Sequence, residues 1–268
     1  MDTKQTLQIT FLSLLLIFVS LQSCAPVAVK HPYYPPFTDQ EIADILLALK
    51  DQETAVHSFF SSGRMTFQGD DSEFEASVLI VGTRNPLKIK IEITHFWGRP
   101  LFHIIIKEDR IHILSFPEKR YYVGNIGESV TSNLLPVRLD TNQLWAVGRG
   151  FPTLCKYNRV VSSSVDQISL LNGAGAPVQI IDFYPENNLP LQTLLSEQGL
   201  QVSFSNFEND NNIQFAQETL LFDQKTEAVL KINIKQMVFN KAIDASIFDL
   251  TIPSGFKIYR TGPLLDTQ

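Results

Sequence analysis

The sequence is poor in most of the residues that metal, redox or nucleic-acid chemistry requires. It holds only two cysteines, Cys24 and Cys155, in 268 residues. Two cannot supply a four-thiolate zinc site or a disulfide framework. Basic residues are few: 22 Lys and Arg stand against 28 Asp and Glu, a net charge of −6. That argues against the cationic surface of a nucleic-acid binder. The five histidines, His31, His57, His95, His103 and His112, form no H-E-x-x-H pattern. His103 and His112 could lie on adjacent strands, where a structural or exposed role outweighs a metal site. There is no G-x-S-x-G elbow and no phosphate-binding Walker motif. Gly148-Arg149-Gly150 and Gly173-Ala174-Gly175 lack the strand-helix context of a nucleotide site and read as turns. The carboxylate pairs Glu73 with Glu75 and Glu118 with Glu128 are placed across no cleft. The chain is therefore read as a non-enzyme, with no catalytic residue, cofactor or metal expected. Hydrophobic residues at 44% and charged residues at 19% exclude a disordered tail and a coiled coil.

What the chain does have begins at its N-terminus. Residues 7–21 are apolar, eleven of the fifteen being Leu, Ile, Phe or Val, with Lys4 ahead of them. A helix of that length spans roughly 22 Å, short of the ~30 Å hydrocarbon core. A removed export signal, residues 1–23, fits better than a permanent span. The segment ends Leu21-Gln22-Ser23-Cys24, which resembles a bacterial lipobox. The resemblance implies cleavage before Cys24 and acylation of it, palmitate included. Several acyl chains anchor firmly where one binds marginally. Ala25 after the cysteine leans toward the outer membrane, giving a lipid-anchored, periplasm-facing protein of the cell envelope. Cys155 would then be a lone thiol, expected in a buried apolar position.

Residues 24–37 carry Pro26, Pro32, Pro35 and Pro36, the composition of an extended tether. Thr38-Asp39-Gln40-Glu41 is a capping box. Ile42, Ile45, Leu46 and Leu49 follow at helical spacing, and Val56, Phe59 and Phe60 can extend that face, so the pattern predicts a helix over about 39–60, either continuous or broken near Asp51. From Arg64 the period becomes two. Ile89, Ile91 and Ile93 alternate with Lys88, Lys90 and Glu92; Leu230, Ile232 and Ile234 alternate with Lys231, Asn233 and Lys235. These are half-exposed antiparallel strands. Further strands are expected at 64–68, 73–83, 101–107, 110–116, 119–123, 157–171, 178–184, 200–207, 213–222 and 245–250. Residues 128–152 interrupt them with one or two short helices, the second starting near Asp140-Thr141. The fold class is mainly β with α: a half-open antiparallel β-barrel of about 11 strands, its mouth covered by the inserted helices as a lid. The domain is placed at 38–260, with a tail at 261–268.

Three stretches resemble the LolB family of outer-membrane lipoprotein receptors, within the wider LolA/LolB-like group. One is the lipobox followed by a helix and the strand start Ser61-Ser62-Gly63-Arg64. The second is the strand pair Ile93-Thr94-His95-Phe96-Trp97-Gly98-Arg99-Pro100-Leu101. The third is Leu134-Leu135-Pro136 through Leu144-Trp145-Ala146-Val147-Gly148, which keeps Trp and Gly at the family's spacing. The similarity covers roughly 38–252. It implies a receptor that takes acylated lipoproteins from a periplasmic LolA-type carrier and inserts them into the outer membrane without ATP. Phe96, Trp97 and Gly98 would be the membrane-insertion loop. Leu134, Leu135, Leu144, Trp145, Ile89, Ile91 and Ile93 are the cavity and lid candidates. Arg64 matches a lid-contacting arginine only loosely, and surface solvation is the better reading. The expected partners are the carrier, acylated lipoproteins and membrane lipid through the N-terminal anchor; a monomer is expected, with no nucleic acid. The alternatives are a same-fold carrier for another lipid or glycolipid, or a structural or assembly lipoprotein.

Overall fold

The capping box forms as written in the sequence. The Glu41 amide donates to Thr38 Oγ1 at 3.3 Å, and the Thr38 amide donates to Glu41 Oε2 at 2.7 Å. Two otherwise orphaned donors are satisfied together. They start helix α1, Asp39–Thr54, whose buried face is Ile42, Ile45 and Leu49. The computed structural model describes residues 35–69, 72–107, 110–126, 137 and 139–260. Cys24, residues 7–21, most of the tether and the tail 261–268 lie outside the described residues.

The helix ends earlier than its apolar spacing predicts. After Thr54 the chain turns, and strand β1 begins at Ser58. Phe59, Ser61, Gly63, Met65 and Phe67 share its inward face. Ser61 and Gly63 break the apolar alternation, so the strand period is masked while Val56, Phe59 and Phe60 mimic a helical stripe. Asn240 holds the junction: its Oδ1 accepts from the His57 amide and its Nδ2 donates to the Ala55 carbonyl, both at 2.8 Å.

The strands that follow are β2 Ser72–Thr83, β3 Lys88–Thr94, β4 Pro100–Lys107, β5 Arg110–Ser115 and β6 Arg120–Asn125. Helix α2, Thr141–Arg149, comes next. Then come β7 Arg159–Val161, β8 Gln167–Leu171, β9 Pro177–Phe183, β10 Pro190–Leu195, β11 Leu200–Asp210, β12 Ile213–Asp223 and β13 Val229–Phe239. A single 3-10 turn at Ala245–Phe248 and strand β14, Lys257–Arg260, complete the order. All strands among the described residues belong to one sheet, ordered β14-β6-β5-β4-β3-β2-β1-β13-β12-β11-β10-β9-β8-β7. It is two meanders, β1 to β6 and β7 to β13, joined where β1 pairs β13. Among the described residues only the β14–β6 pair is parallel. Among the described residues the end strands β14 and β7 do not pair, so the sheet is curved but open.

The sheet has 14 strands, more than expected. The stretch 157–171 divides into β7 and β8, because Ser162 to Asp166 turn between them and Asp166 has φ +54°. Strand β10 shows too short an alternation to stand out. All four residues of β14 are exposed, and Ile258 and Tyr259 stand next to each other, so it shows no strand alternation. The expected strand at 245–250 is the 3-10 turn, nucleated by Asp244, whose Oδ1 accepts from the Ser246 amide at 2.9 Å.

Both described helices lie on the inner face. Ile42, Ile45 and Leu49 of α1 pack on Ile168 and Leu170 of β8 and Ile181 and Phe183 of β9. Helix α2 packs on the strands around β1 and β2. Outside the sheet, Phe248, Ile243, Ile247 and Leu250 cover Phe60, Leu79, Val81 and Ile105. This is why β2 is apolar on both faces along Val78-Leu79-Ile80-Val81. Each such side chain, fully buried, contributes about 1.5–3 kcal/mol.

Candidate functional site

Strand alternation puts Met65 and Phe67 of β1, Val78 and Ile80 of β2, Ile91 and Ile93 of β3, Ile104 of β4, Ile113 of β5, and Leu230 and Ile232 of β13 on one inner surface. Above them stand Val137, Leu139 and, from α2, Leu144 and Val147. Between the two lies a cavity of about 300 Å³, completed by Phe74 and Phe102. Every side chain that lines it is apolar. Such a space offers dispersion contacts and suits an alkyl chain.

Helix α2 roofs this space and is fixed at both ends. At its start the Gln143 amide donates to Asp140 Oδ1, and the Asp140 amide donates to Gln143 Oε1, both at 2.8 Å. At its end the Ala216 amide of β12 donates to the Gly150 carbonyl at 2.7 Å. Arg84, after β2, adds a polar strap. Its Nη2 is 2.8 Å from Glu53 Oε1 at the end of α1, its Nη1 donates to Asn142 Oδ1 at 3.1 Å, and its guanidinium lies 5.4 Å from the Trp145 ring. Arg149 is fully buried. It donates once, to the Gln52 carbonyl at 3.0 Å, and its guanidinium lies 4.9 Å from the Phe151 ring. Burial pushes its pKa down to about 9, against the support of Glu53.

Of the sequence candidates, Ile91, Ile93 and Leu144 line the cavity. Ile89 and Trp145 do not; both are fully buried in the core beside it. Trp145 meets Phe59 edge to face at 4.9 Å. Phe59 is in turn closed in by Gly82 and Gly148, where an added Cβ would come within 2.6 Å and 2.7 Å of its ring. Trp145 thus supports the roof rather than facing the space. Leu134 and Leu135 lie outside the described residues. The lining residues missed in the sequence, such as Met65, Phe67, Phe74 and Phe102, sit in strands whose alternation is weak or interrupted.

The β3–β4 turn carries two large exposed rings, Phe96 at 64% and Trp97 at 77% exposure. The Gly98 amide donates to the His95 carbonyl at 2.7 Å and the His95 amide to the Arg99 carbonyl at 2.8 Å, with Gly98 at φ +81°. This is a three-residue hairpin loop that ends in a glycine bulge, and the left-handed position demands glycine. The rings of His95 and Phe96 lie 4.2 Å apart and those of Phe96 and Trp97 3.7 Å apart, so the tip is one aromatic stack. Beside it a wider groove of about 1080 Å³ shares Phe74, Val78 and Phe102 with the cavity.

Other candidates resolve into structural roles. His112 Nδ1 is 2.6 Å from the Tyr121 hydroxyl, while His103 packs edge-on against Phe116. Burial lowers the pKa of both. Arg64 pairs with Glu75 at 3.1 Å on the surface, and Glu118 accepts from the Tyr122 hydroxyl at 2.6 Å. Cys155 is half-buried against the core, and burial raises its thiol to about 11. Among the described residues no helix is long and apolar enough to cross a membrane.

No protein-family model and no curated protein sequence matches the chain. Solved structures do. A DUF1329 family protein from Desulfovibrio piger superposes with a TM-score of 0.53 at 13% identity, covering 79% of this chain and 98% of that one. A LolA superfamily protein from Nitrosomonas europaea gives a TM-score of 0.50 at 13% identity, covering 78% of this chain and 97% of that one. The chain has the LolA-like fold. The expected class, mainly β with a helical cover over an open, curved antiparallel sheet, is the observed one. At this identity the likeness speaks for the fold alone.

Proposed function

We propose that this protein is a lipid-anchored outer-membrane receptor of the LolB kind. Held by acylated Cys24, it accepts the acyl chains of lipoproteins from a periplasmic LolA-type carrier and passes them to the membrane. One observation supports the reading: a cavity lined by apolar side chains that shares Phe74, Val78 and Phe102 with a groove beside two exposed aromatic rings. An exposed acyl chain is penalised by ~0.8 kcal/mol per CH₂, so a chain in transit needs a cover. Phe96 and Trp97 provide an interface-seeking tip beside that cover, since Trp partitions to the membrane surface. Leu144, Val147, Ile91 and Ile93 would touch the chains.

The test is a transfer assay. The soluble form that begins after Cys24 is mixed with a LolA-type carrier loaded with labelled lipoprotein. Movement of the label onto it supports the receptor. The cavity volume, at the small end of the roughly 300–1,000 Å³ range for ligand pockets, favours a second reading. In that reading the same fold carries a lipid with fewer chains. Absence of transfer together with a lipid co-purifying in mass spectrometry would select it. Absence of both would leave a structural lipoprotein.

A further inference from the structure

The first meander is stepped. Strand β2 pairs with β1 over its whole length, from Ser72 opposite Gly69 to Thr83 opposite Ser58. It pairs with β3 only from Ser77, opposite Thr94. There the chain leaves the sheet for the aromatic turn. Residues 73–76 therefore have a strand neighbour on one side only, among the described residues. The overhang is firm, because β1 behind it pairs with β13 as far as Gln68 opposite Val229. At about 3.3 Å per residue the free edge is roughly 13 Å long.

This edge borders the groove beside the turn, which is lined by Glu75 and Ala76 on one side and His95 and Phe96 on the other. Phe74 and Phe102 stand at its junction with the cavity. The groove's charges balance, Arg64 and Lys235 against Glu75 and Glu92. It thus sets an unpaired backbone ladder, without net charge, beside an alkyl-lined space with which the groove shares Phe74, Val78 and Phe102. The sheet's outer edges, β7 and β14, adjoin no such space.

We propose that the free edge of β2 at 73–76 binds the extended peptide that follows the acylated cysteine of a cargo lipoprotein, as an added antiparallel or parallel strand. The inference rests on the proposed function, since it takes the cavity as the seat of the acyl chains. A chain whose first residue carries those acyl groups must leave through the mouth, and the edge lies along that path. Alternate residues of an edge strand present both N–H and C=O outward, so pairing reads backbone and not side chains. Such recognition accepts cargoes of unrelated sequence, and the balanced charge repels none of them.

The test uses residues 25–268 and three probes. One is a dipalmitoylated cysteine followed by eight uncharged residues. The other two are the same lipopeptide N-methylated at alternate amides in one register or in the other. An added strand has two sides, so one register should weaken binding about ten-fold and the other leave it within two-fold. Amide exchange at 73–76 should slow with the lipopeptide and stay unchanged with palmitate. Equal binding of all three probes, or equal weakening in both registers, overturns strand addition while leaving the cavity reading intact. Failure of both lipopeptide and palmitate to bind overturns the cavity reading, and this inference with it.

Discussion

Gly148→Ala tests how the roof is held. Helix α2 is a regular helix, and an interior glycine there costs about 1 kcal/mol relative to alanine. On propensity alone the substitution stabilises. The packing opposes it. An added Cβ would meet Phe59 Cζ at 2.7 Å, Phe59 Cε2 at 3.0 Å and Ile80 Cγ2 at 3.1 Å. A flexible neighbour would yield, but this ring cannot. The same end of the ring also meets Gly82, where an added Cβ would sit 2.6 Å from Phe59 Cε1, and Trp145 packs on it edge to face. Overpacking of this kind costs about 1–3 kcal/mol. The net expectation is a destabilisation of about 1 kcal/mol, with Gly82→Ala at least as severe. For a chain of this size that lowers Tm by roughly 2–4 °C.

Urea unfolding of the soluble form checks it, with fluorescence as the probe. Trp145 is buried and Trp97 exposed, so a Trp97→Phe background leaves the buried ring as reporter. Phe59→Leu should be less harmful beside Gly148→Ala than alone, with a coupling of about 0.5–3 kcal/mol. A Gly148→Ala protein stabilised by about 1 kcal/mol, with no coupling to Phe59→Leu, refutes the reasoning.

The aromatic tip separates from the fold in the same assays: Trp97→Glu should shift stability by no more than about 0.5 kcal/mol, keep palmitate binding, and lose cargo insertion into liposomes. Ile91→Trp should fill the cavity and reduce fluorescent fatty-acid binding at least about ten-fold, read by direct titration; unchanged affinity would place the ligand elsewhere. Cys155 should resist alkylation. With its thiol raised to about 11, its thiolate fraction at pH 8 is about 100-fold below that of a thiol near 9. The sign carries over to stability, because the folded state holds the proton more tightly than the unfolded one. That contribution is complete below the unfolded value near 9 and is lost as pH rises to about 11; Cys155→Ala should flatten this part of the profile.

What the sequence reveals here follows from how each element is stabilised. Helices α1 and α2 are legible at their starts, because Thr38 with Glu41 and Asp140 with Gln143 are local devices visible within four residues. The end of α1 is not, because strand pairing to β2 and β13 claims Phe59 and Phe60 from outside. Strands β3 and β13 are legible since one face is wet. Strand β14 is not, since its four exposed residues are held by pairing with the distant β6. The cavity is half legible. Ile91 and Ile93 follow from alternation and Leu144 from its place on the inserted helix, whereas Phe74 and Phe102 enter through a step in the sheet that no single segment encodes. The tip is legible in kind, since Phe96 and Trp97 precede a glycine that a tight turn requires.

Under the proposed function, release without an energy source would depend on what the empty protein regains. The ~0.8 kcal/mol per CH₂ is recovered in a cavity and in a bilayer alike and largely cancels on transfer. The direction then rests on the roof. A cavity of about 300 Å³ takes a longer ligand only if α2 shifts, and the shift pulls on the strap from Arg84 to Glu53 and Asn142. Both side chains of the ion pair are mostly shielded, with 26% and 21% exposure, so the strap is stronger than an open surface pair. Arg84→Met removes it and should cost the empty, closed form about 1–2 kcal/mol. The loaded form, with the helix already displaced, loses less. Fatty-acid affinity should therefore rise up to about ten-fold, and release into liposomes should slow in proportion. An affinity that stays level or falls would mean that α2 does not move on loading, and that the groove at Phe74 and Phe102, not the roof, is where the chain is let go.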